Sequence, residues 1–168
     1  ALVRQTAYPA KFERLKQMGA TLAFGDLKDP ASLAAACQGV TAVITTATTT
    51  MSRQPGDSIE ATDRDGQLHL VEAAKAAGVR HFVYTSYSAG LTQPCPLTTA
   101  KRTVEQRVQA SGMTYTILRP SFLAEIWLSP ALGFDFPNAQ ATIYGAGHNP
   151  ISWISLGDVA EFAVQSLD

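Results

Sequence analysis

Short runs of apolar and β-branched residues alternate with stretches of helical periodicity along most of the chain. This pattern predicts strands over residues 1–4, 20–26, 41–47, 79–86 and 113–120. Helices are predicted between them, over 9–19, 30–39, 65–78 and 100–112. The strand at 41–47 is apolar throughout, as expected when both faces of a sheet are covered. Strands separated by helices in this way indicate βαβ units, so we predict an α/β fold with a doubly wound parallel sheet.

The pattern becomes less regular after Pro120. Short strands are predicted over 141–147 and 150–155. Ser155 and Asp158 then form an S-x-x-D capping box at the start of a last helix. We expect that helix to bury three of its apolar residues, Val159, Phe162 and Ala163.

A long polar loop covers residues 45–58 and starts where a predicted strand ends, which is the edge of an α/β sheet that binds ligands. A dinucleotide-binding sheet also needs a first strand followed by a glycine-rich turn, and no such turn occurs in this sequence. We therefore expect a Rossmann-like sheet that is incomplete at its N-terminus. One further βα unit, roughly 20–30 residues, would supply the missing centre. Without it, the strands at 1–4 and 41–47 would lack their shared neighbour.

Composition narrows the class of protein. Hydrophobic residues make up 46% and charged residues 16% of the chain, which indicates a globular domain. The net charge of -1 gives no reason to expect a nucleic-acid or membrane partner, and the apolar runs are too short to span a bilayer. The histidines have no metal-ligand spacing, so we predict no metal. Cys37 and Cys95 lack CxxC spacing, and we interpret them as thiols in a reducing, cytoplasmic protein.

Four segments resemble the NmrA-like branch of the atypical short-chain dehydrogenase/reductases. They are "GDLKDPASLAAACQGVTAVI" (25–44), "LVEAAKAAGVRHFVYTSYSAG" (70–90), "YTILRPSFLAE" (115–125) and "ISWISLGDVAEFAV" (151–164). They occur in the order and spacing of that family and cover nearly the whole chain. The resemblance implies an NAD(P)-binding Rossmann-like domain over 1–168, with 121–168 contributing to the substrate side, and NADP(H) as the cofactor.

Arg4 stands where the second strand of this family ends. Members that prefer NADP are similar to this sequence in having an arginine there. A guanidinium can hold a 2′-phosphate through two charge-assisted hydrogen bonds. The resemblance therefore assigns the 2′-phosphate to Arg4, with Gln5 and Thr6 as further donors. A solvated surface arginine is the alternative.

Two further groups of residues follow predicted strands. By resemblance, Asp26 accepts a hydrogen bond from the adenine amine and Leu27 covers the adenine ring, although a plain turn with Asp26 as a local cap would also explain them. Thr45, Thr46 and Ala47 are implied to run past the adenine-side ribose and pyrophosphate, where small residues allow close approach. The alternative is that the two threonines reflect only the high β-strand propensity of threonine.

The nicotinamide side is implied to involve the ends of the next two strands. Ser86 would bind the acceptor carbonyl or a nicotinamide group, and Tyr87 would donate a proton or stack on the substrate. Packing is an alternative for Tyr87. The backbone near Pro120 would meet the carboxamide, and Phe122 would cover the nicotinamide ring or simply pack.

Lys101 corresponds to the lysine of the Tyr-x-x-x-Lys pair found in the wider superfamily, but Leu97 stands in place of the tyrosine. In that pair the lysine binds the nicotinamide ribose and lowers the tyrosine pKa. Leu97 cannot donate a proton. We place Lys101 at the beginning of a helix, where the helix dipole does not favour a positive charge. The resemblance implies that Lys101 binds the nicotinamide ribose; a solvent-exposed helix lysine is the alternative. The predicted catalytic residues are Lys101, Ser86 and Tyr87.

Two functions fit these residues. One is an NADPH-dependent oxidoreductase that passes hydride to a quinone-like or conjugated aromatic small molecule, which needs orientation more than a proton relay. The other is a non-catalytic NADP(H)-binding redox-sensing regulator; a sugar-nucleotide epimerase is disfavoured by Leu97. A homodimer or a regulatory protein partner stays open. Four aromatic residues are candidates for a flat acceptor pocket, with core packing as the alternative: Trp127, Phe134, Phe136 and Trp153.

Overall fold

The computed structural model describes residues 1–50, 54–90 and 92–168; residues 51–53 of the long polar loop and residue 91 lie outside it. Strands and helices alternate through the first 118 residues as predicted. In chain order they are β1 (Leu2–Val3), α1 (Pro9–Gln17), β2 (Ala23–Phe24), α2 (Pro30–Ala36), β3 (Ala42–Thr45), a π-helix (Ile59–Gly66), α3 (Gln67–Ala76), β4 (His81–Thr85), α4 (Pro96–Gln109) and β5 (Thr114–Leu118).

These strands pair in parallel, which confirms the predicted α/β class. β1 pairs with β2, and β3, β4 and β5 form a second sheet in that order. Among the described residues β1 and β3 belong to separate sheets, as expected for strands that lack a shared neighbour. Because parallel strands point the same way, the carboxyl ends of β3, β4 and β5 lie along one edge.

The hydrophobic core lies where α2, α3 and α4 pack against the sheet. Its fully buried members include Leu33, Val71, Phe82 and Val104. The expectation that both faces of β3 are covered is wrong: Ile44 is 40% exposed. Successive residues of a strand point to opposite faces, and the core helices cover only the face opposite Ile44.

Two helices begin earlier than predicted. Helix α4 starts at Pro96, and Cys95 caps it by accepting a hydrogen bond from the Thr98 amide at 3.4 Å. Proline suits the first turn because its missing N–H would be unpaired there. Lys101 therefore lies in the second turn and not at the beginning of the helix, which corrects our prediction.

The segment before α3 is also helical. Ser58 caps it by accepting from the Ala61 amide at 2.9 Å, and the residues from Ile59 to Gly66 form a π-helix that continues into α3. Gly66 is required here, because a Cβ atom would lie 2.8 Å from the Leu27 Cβ. Short π-helical segments occur often at functional sites, and this one turns Asp63 into the interior.

The remaining elements are short. They are β6 (Phe122–Leu123), α5 (Ala124–Trp127), a 3₁₀ turn (Pro130–Leu132), β7 (Phe134–Asp135), β8 (Gln140–Ala141), β9 (Trp153–Ile154) and α6 (Leu156–Gln165). β6 pairs with β9 in parallel and β7 with β8 antiparallel. The predicted strand at 141–147 is reduced to its first residue, because turns at Gly145 and Gly147, both with positive φ, interrupt it.

The capping box of Ser155 and Asp158 at the start of α6 is confirmed. Val159 and Ala163 are buried as predicted, but Phe162 is 58% exposed, because the helix buries only a narrow stripe. Cys37 and Cys95 are both free thiols, with Cys37 buried and Cys95 exposed. None of the helices in the described part of the chain is both long and apolar enough to cross a bilayer.

Candidate functional site

The carboxyl ends of the parallel strands carry most of the predicted site residues. Arg4 follows β1 directly, Asp26 follows β2, Thr45 ends β3, Ser86 follows β4 and Pro120 follows β5. Side-chain contacts tie these ends together in three places: an ion cluster beyond β1 and β2, a buried cluster beyond β3, and an arginine–glutamate network beyond β4 and β5.

The ion cluster is centred on Asp57, which sequence reasoning missed. Arg4 Nη1 donates to Asp57 Oδ1 at 3.0 Å and to Oδ2 at 2.8 Å. Lys28 also bonds Asp57 Oδ1. Asp26 Oδ2 lies 3.8 Å from Arg4 Nη1 and 3.5 Å from Lys28 Nζ. Arg4 is therefore held in an ion-pair network and is not a solvated arginine at the end of a strand.

Hydrogen bonding keeps the Asp57 carboxylate ionised. Burial by itself would raise the pKa of Asp57. Hydrogen bonds from Lys28, from Arg4 and from the backbone N–H of Gln54 outweigh burial and lower the pKa to about 2. Thr6 Oγ1 donates to Gln54 Oε1, so Thr6 contacts the loop that carries Asp57. Gln5 is exposed next to Arg4.

Asp26 and Leu27 have structural roles, the first in a turn and the second in the core. Asp26 Oδ1 accepts from the Lys28 amide at 2.9 Å, which is the local cap that we considered as an alternative. Leu27 is 8% exposed and packs in the core against Gly66, which leaves little of its side chain to cover an adenine ring. Adenine contact by either residue remains a prediction, and the half-buried Asp26 carboxylate is the better placed of the two.

Gln67 fixes the backbone beyond β3. Thr45 Oγ1 donates to Gln67 Oε1 at 3.1 Å, and Gln67 Nε2 donates to the Ala47 carbonyl at 3.0 Å. Both side chains that make this link, Thr45 and Gln67, are buried, whereas Thr46 and Ala47 are exposed. A threonine at position 45 is thus explained by a specific hydrogen bond as well as by its preference for strands.

Lys101 is buried, with 4% of its surface exposed, so the solvated alternative is wrong. Its Nζ lies 3.7 Å from Asp63 Oδ1, donates to the Thr85 carbonyl at 3.4 Å and stands 5.2 Å from the centre of the Tyr84 ring. Asp63 is fully buried, and its Oδ2 accepts from the amide and hydroxyl of Thr49 at 3.0 and 2.6 Å. A buried ammonium beside a buried carboxylate thus lies next to the ends of β3 and β4.

Burial shifts the pKa of Lys101. It lowers the pKa of Lys101 below the usual 10.5, and the Asp63 carboxylate offsets only part of the effect. The Tyr84 hydroxyl cannot replace the missing tyrosine, because burial and then Asp63 raise its pKa and the side chain is inaccessible. Leu97 lies half-buried in the first turn of α4.

Arg102 holds the segment that follows β4. Its Nη1 donates to Ser86 Oγ at 3.3 Å, and its Nη2 donates to the carbonyls of Tyr87 and Ser88 at 3.1 and 2.7 Å. Ser86 is buried and Tyr87 half-buried, so of the two, Tyr87 exposes more of its side chain. These contacts fix the direction in which Ser86 and Tyr87 leave the sheet.

Glu105 joins this segment to the end of β5. Its buried carboxylate accepts from Arg119 Nε at 3.1 Å and from Nη2 at 2.6 Å, and it also pairs with Arg102. Arg119 immediately precedes Pro120, so the same carboxylate orients the turn that leads to Phe122. Glu105 therefore couples the two strand ends that are predicted to face the nicotinamide.

Aromatic rings gather beyond Pro120. The Phe122 ring lies 5.1 Å from the Trp127 ring and 5.8 Å from the Trp153 ring. Trp127 and Trp153 are 41% and 44% exposed, so they are not core residues. Phe134 and Phe136 form a separate pair at 5.3 Å, and Phe136 is exposed as well.

Sequence reasoning missed the partners of the predicted residues. One signal was available: Lys101, Val104, Glu105 and Val108 recur at helical spacing, so two charged residues share a stripe with two buried valines. Charged residues on such a stripe are rarely buried unless they are paired. Asp63 and Gln67 have the same i, i+4 relation, but it became visible only once the helix was known to start at Ile59.

Comparison with known proteins identifies the family of this chain. A family model described as NAD(P)H-binding matches residues 1–168. The photosystem II assembly factor Ycf39 of Trieres chinensis is 35% identical over 157 residues, which cover 91% of this chain and 47% of that protein. The NAD(P)H azoreductase of Xenophilus azovorans is 32% identical over 169 residues, covering 99% and 54%. The chain spans about half the length of these curated relatives.

Solved structures of two NADPH-binding reductases have a similar fold. The Escherichia coli NADPH-dependent quinone oxidoreductase complexed with NADPH has a TM-score of 0.61 at 30% identity, over 78% of this chain and 43% of that chain. The Citrobacter sp. triphenylmethane reductase complexed with NADP(H) has a TM-score of 0.63 at 25% identity, over 79% and 43%. The Rossmann-like fold and the resemblance to NmrA-like reductases are thereby confirmed. The chain belongs, over its whole length, to the NAD(P)H-binding family.

Proposed function

We propose that this chain is the cofactor-binding part of an NADPH-dependent oxidoreductase that transfers hydride to a quinone-like or conjugated aromatic acceptor. The observation that carries the proposal is the buried Lys101, whose Nζ lies 3.7 Å from Asp63 Oδ1, with the apolar Leu97 in place of a proton-donating tyrosine. Acceptors with a conjugated system can take a hydride without a tyrosine proton relay. NADPH supplies that hydride when bound, and the protein orients it and excludes water.

The charged and exposed groups at the strand ends fit NADP(H). Arg4 binds Asp57 through Nη1 alone, and its Nε and Nη2 make no hydrogen bond within the described part of the chain. One edge of the guanidinium is thus available to a 2′-phosphate. Thr46 and Ala47 are exposed where the pyrophosphate would pass, and Lys101 would bind the nicotinamide ribose. Two of the structural relatives were solved with NADPH or NADP(H), which supports this cofactor.

The aromatic residues beyond Pro120 fit a flat acceptor. The half-exposed rings of Trp127 and Trp153 flank Phe122, next to the turn that is predicted to reach the nicotinamide. Tyr87 remains the proposed proton donor or stacking partner. Relatives named quinone oxidoreductase, azoreductase and triphenylmethane reductase support an acceptor with an extended conjugated system.

A second candidate is a non-catalytic NADP(H)-binding regulatory protein. The specific observation in its favour is the 35% identity to a protein named as an assembly factor and not as an enzyme. The leucine at position 97 and the buried hydroxyl of Ser86 fit that function as well as they fit a reductase. Its partner would be another protein instead of a small acceptor.

An oxidation assay separates the two candidates. We expect the full-length natural protein to oxidise NADPH when a quinone or a triphenylmethane dye is added, and to do so faster than with NADH. The measurement is the acceptor-dependent loss of NADPH absorbance across a panel of quinones and dyes. Tight NADPH binding without turnover of any acceptor would contradict the reductase and favour the regulator. Lys75→Met, on the exposed face of α3, is the control and should leave the rate unchanged.

A further inference from the structure

The Arg4 guanidinium, proposed above as the 2′-phosphate ligand, already has an internal anion. Asp57 comes from the loop beyond β3 and is bound by Arg4, by Lys28 and by the Gln54 amide. Its side chain has no exposed surface, whereas the side chains of Arg4, Lys28 and Asp26 are each about 30% exposed. A ligand that approaches from solvent would therefore contact the side chains of Arg4, Lys28 and Asp26, with the buried Asp57 carboxylate behind them.

The charges of this cluster cancel. Arg4 and Lys28 contribute two positive charges, and Asp26 and Asp57 contribute two negative charges. A phosphate dianion that docks on Arg4 is attracted by the two cations and repelled by the two carboxylates at similar range. The net attraction is much smaller than that of an unpaired arginine, because Coulomb energies fall only slowly over a few ångströms.

Asp57 is not easily displaced by a ligand. It accepts hydrogen bonds from three donors, and its departure would leave the Arg4 and Lys28 charges without their buried partner. Its pKa of about 2 keeps it ionised at neutral pH. The free edge of Arg4 can still meet a phosphate, and the half-exposed Asp26 carboxylate can accept from the 2′-hydroxyl of an unphosphorylated ribose.

We propose that Asp57 is a specificity-determining residue: as a fixed counter-charge it limits the preference for NADPH over NADH, so that the site accepts both dinucleotides. This inference rests on the proposed function, because it assumes that the dinucleotide binds with its 2′ position at Arg4. The natural protein then has a modest preference for NADPH. Removal of the Asp57 charge makes that preference large.

The test compares dissociation constants of the natural chain and the variant Asp57→Asn for NADPH and NADH. We expect NADPH to bind about fivefold to tenfold more tightly in Asp57→Asn, with NADH changed by less than about twofold, since only NADPH carries the extra phosphate charge. Asp57→Glu keeps the charge and should retain the natural ratio. Glu161→Gln, which removes an exposed carboxylate from α6, should change neither affinity. An unchanged or lowered NADPH preference in Asp57→Asn would overturn the inference.

Two further variants keep the result interpretable. If Asp57→Asn does not fold, Asp26→Asn removes the second carboxylate of the same cluster from a half-exposed position, and it should tighten NADPH binding itself, apart from any change in NADH affinity. Unchanged or weaker NADPH binding in Asp26→Asn would then overturn the inference. Arg4→Ala tests whether the 2′-phosphate binds at Arg4. If this variant weakens the binding of both dinucleotides equally, 2′-phosphate binding at Arg4 is refuted. If it weakens only NADPH binding and Asp57→Asn has no effect, only the role of Asp57 is refuted.

Discussion

Replacing Lys101 by methionine is expected to lower the free energy of unfolding by about 3–5 kcal/mol, because it leaves the fully buried Asp63 carboxylate without its cation. Methionine has nearly the length of lysine, so the change removes charge more than volume. Urea denaturation measures the loss. Lys75→Met is the matched control on an exposed face, and it should change stability by less than about 0.5 kcal/mol.

The double variant Lys101→Met with Asp63→Asn distinguishes an ion pair from a packing effect. Asparagine can still accept a hydrogen bond from the Thr49 amide but carries no charge. We expect the double variant to be more stable than Lys101→Met alone, with a coupling of at least about 1 kcal/mol between the two positions. Strict additivity, or a Lys101→Met variant as stable as the Lys75→Met control, would contradict a buried pair.

The second large effect is expected at Glu105. Glu105→Gln should cost about 3 kcal/mol, because two guanidinium groups then lose the buried carboxylate that holds them. Glu72→Gln breaks an exposed pair with Arg107 between neighbouring helices and should cost less than about 1 kcal/mol. Chemical denaturation of the two variants gives a direct comparison. Equal costs would show that Glu105 contributes no more than a surface ion pair.

The same variant should change the dependence of stability on pH. Burial alone would raise the pKa of Glu105, but hydrogen bonds from Arg119, Ser86 and Arg102 outweigh burial and lower it below the usual 4.5. A carboxyl whose pKa is lower in the folded state contributes stability that is fully present above pH 4.5 and is lost as the pH falls through the folded-state pKa. Glu105→Gln should therefore lose less stability than the natural chain when the pH is lowered below 4.5.

Much of the fold could be predicted because its determinants are local. The apolar strands, the helix stops at Gly19 and Gly39 and the capping box of Ser155 with Asp158 all act within a few residues of one another. The errors were also local in origin. Cys95 is an unusual cap, and Thr98 and Thr99 in the first turn are weak helix formers, so the sequence predicts a later start for α4 than the structure shows.

The site could be predicted only in part. Arg4, Asp26, Thr45, Ser86 and Lys101 could be selected because parallel strands gather their carboxyl ends and because a family resemblance supplied roles. Most of their partners could not, since those partners come from distant segments: Arg4 is 53 residues from Asp57 along the chain, and Thr45 is 22 residues from Gln67. Only the tertiary fold brings these charges together. The roles of the site residues, the contribution of 121–168 to substrate binding and the cytoplasmic location remain predictions.

A titration of the isotope-labelled natural chain with NADPH, followed by backbone amide chemical shifts, tests most directly whether the strand ends form one dinucleotide site. We predict that the largest shifts occur at residues just beyond β1 to β5, among them Arg4, Asp26, Thr46, Ser86 and Ser121. The exposed turn at 142–147 should not respond. Shifts confined to that turn or to the outer face of α1, with the strand ends unaffected, would contradict the account.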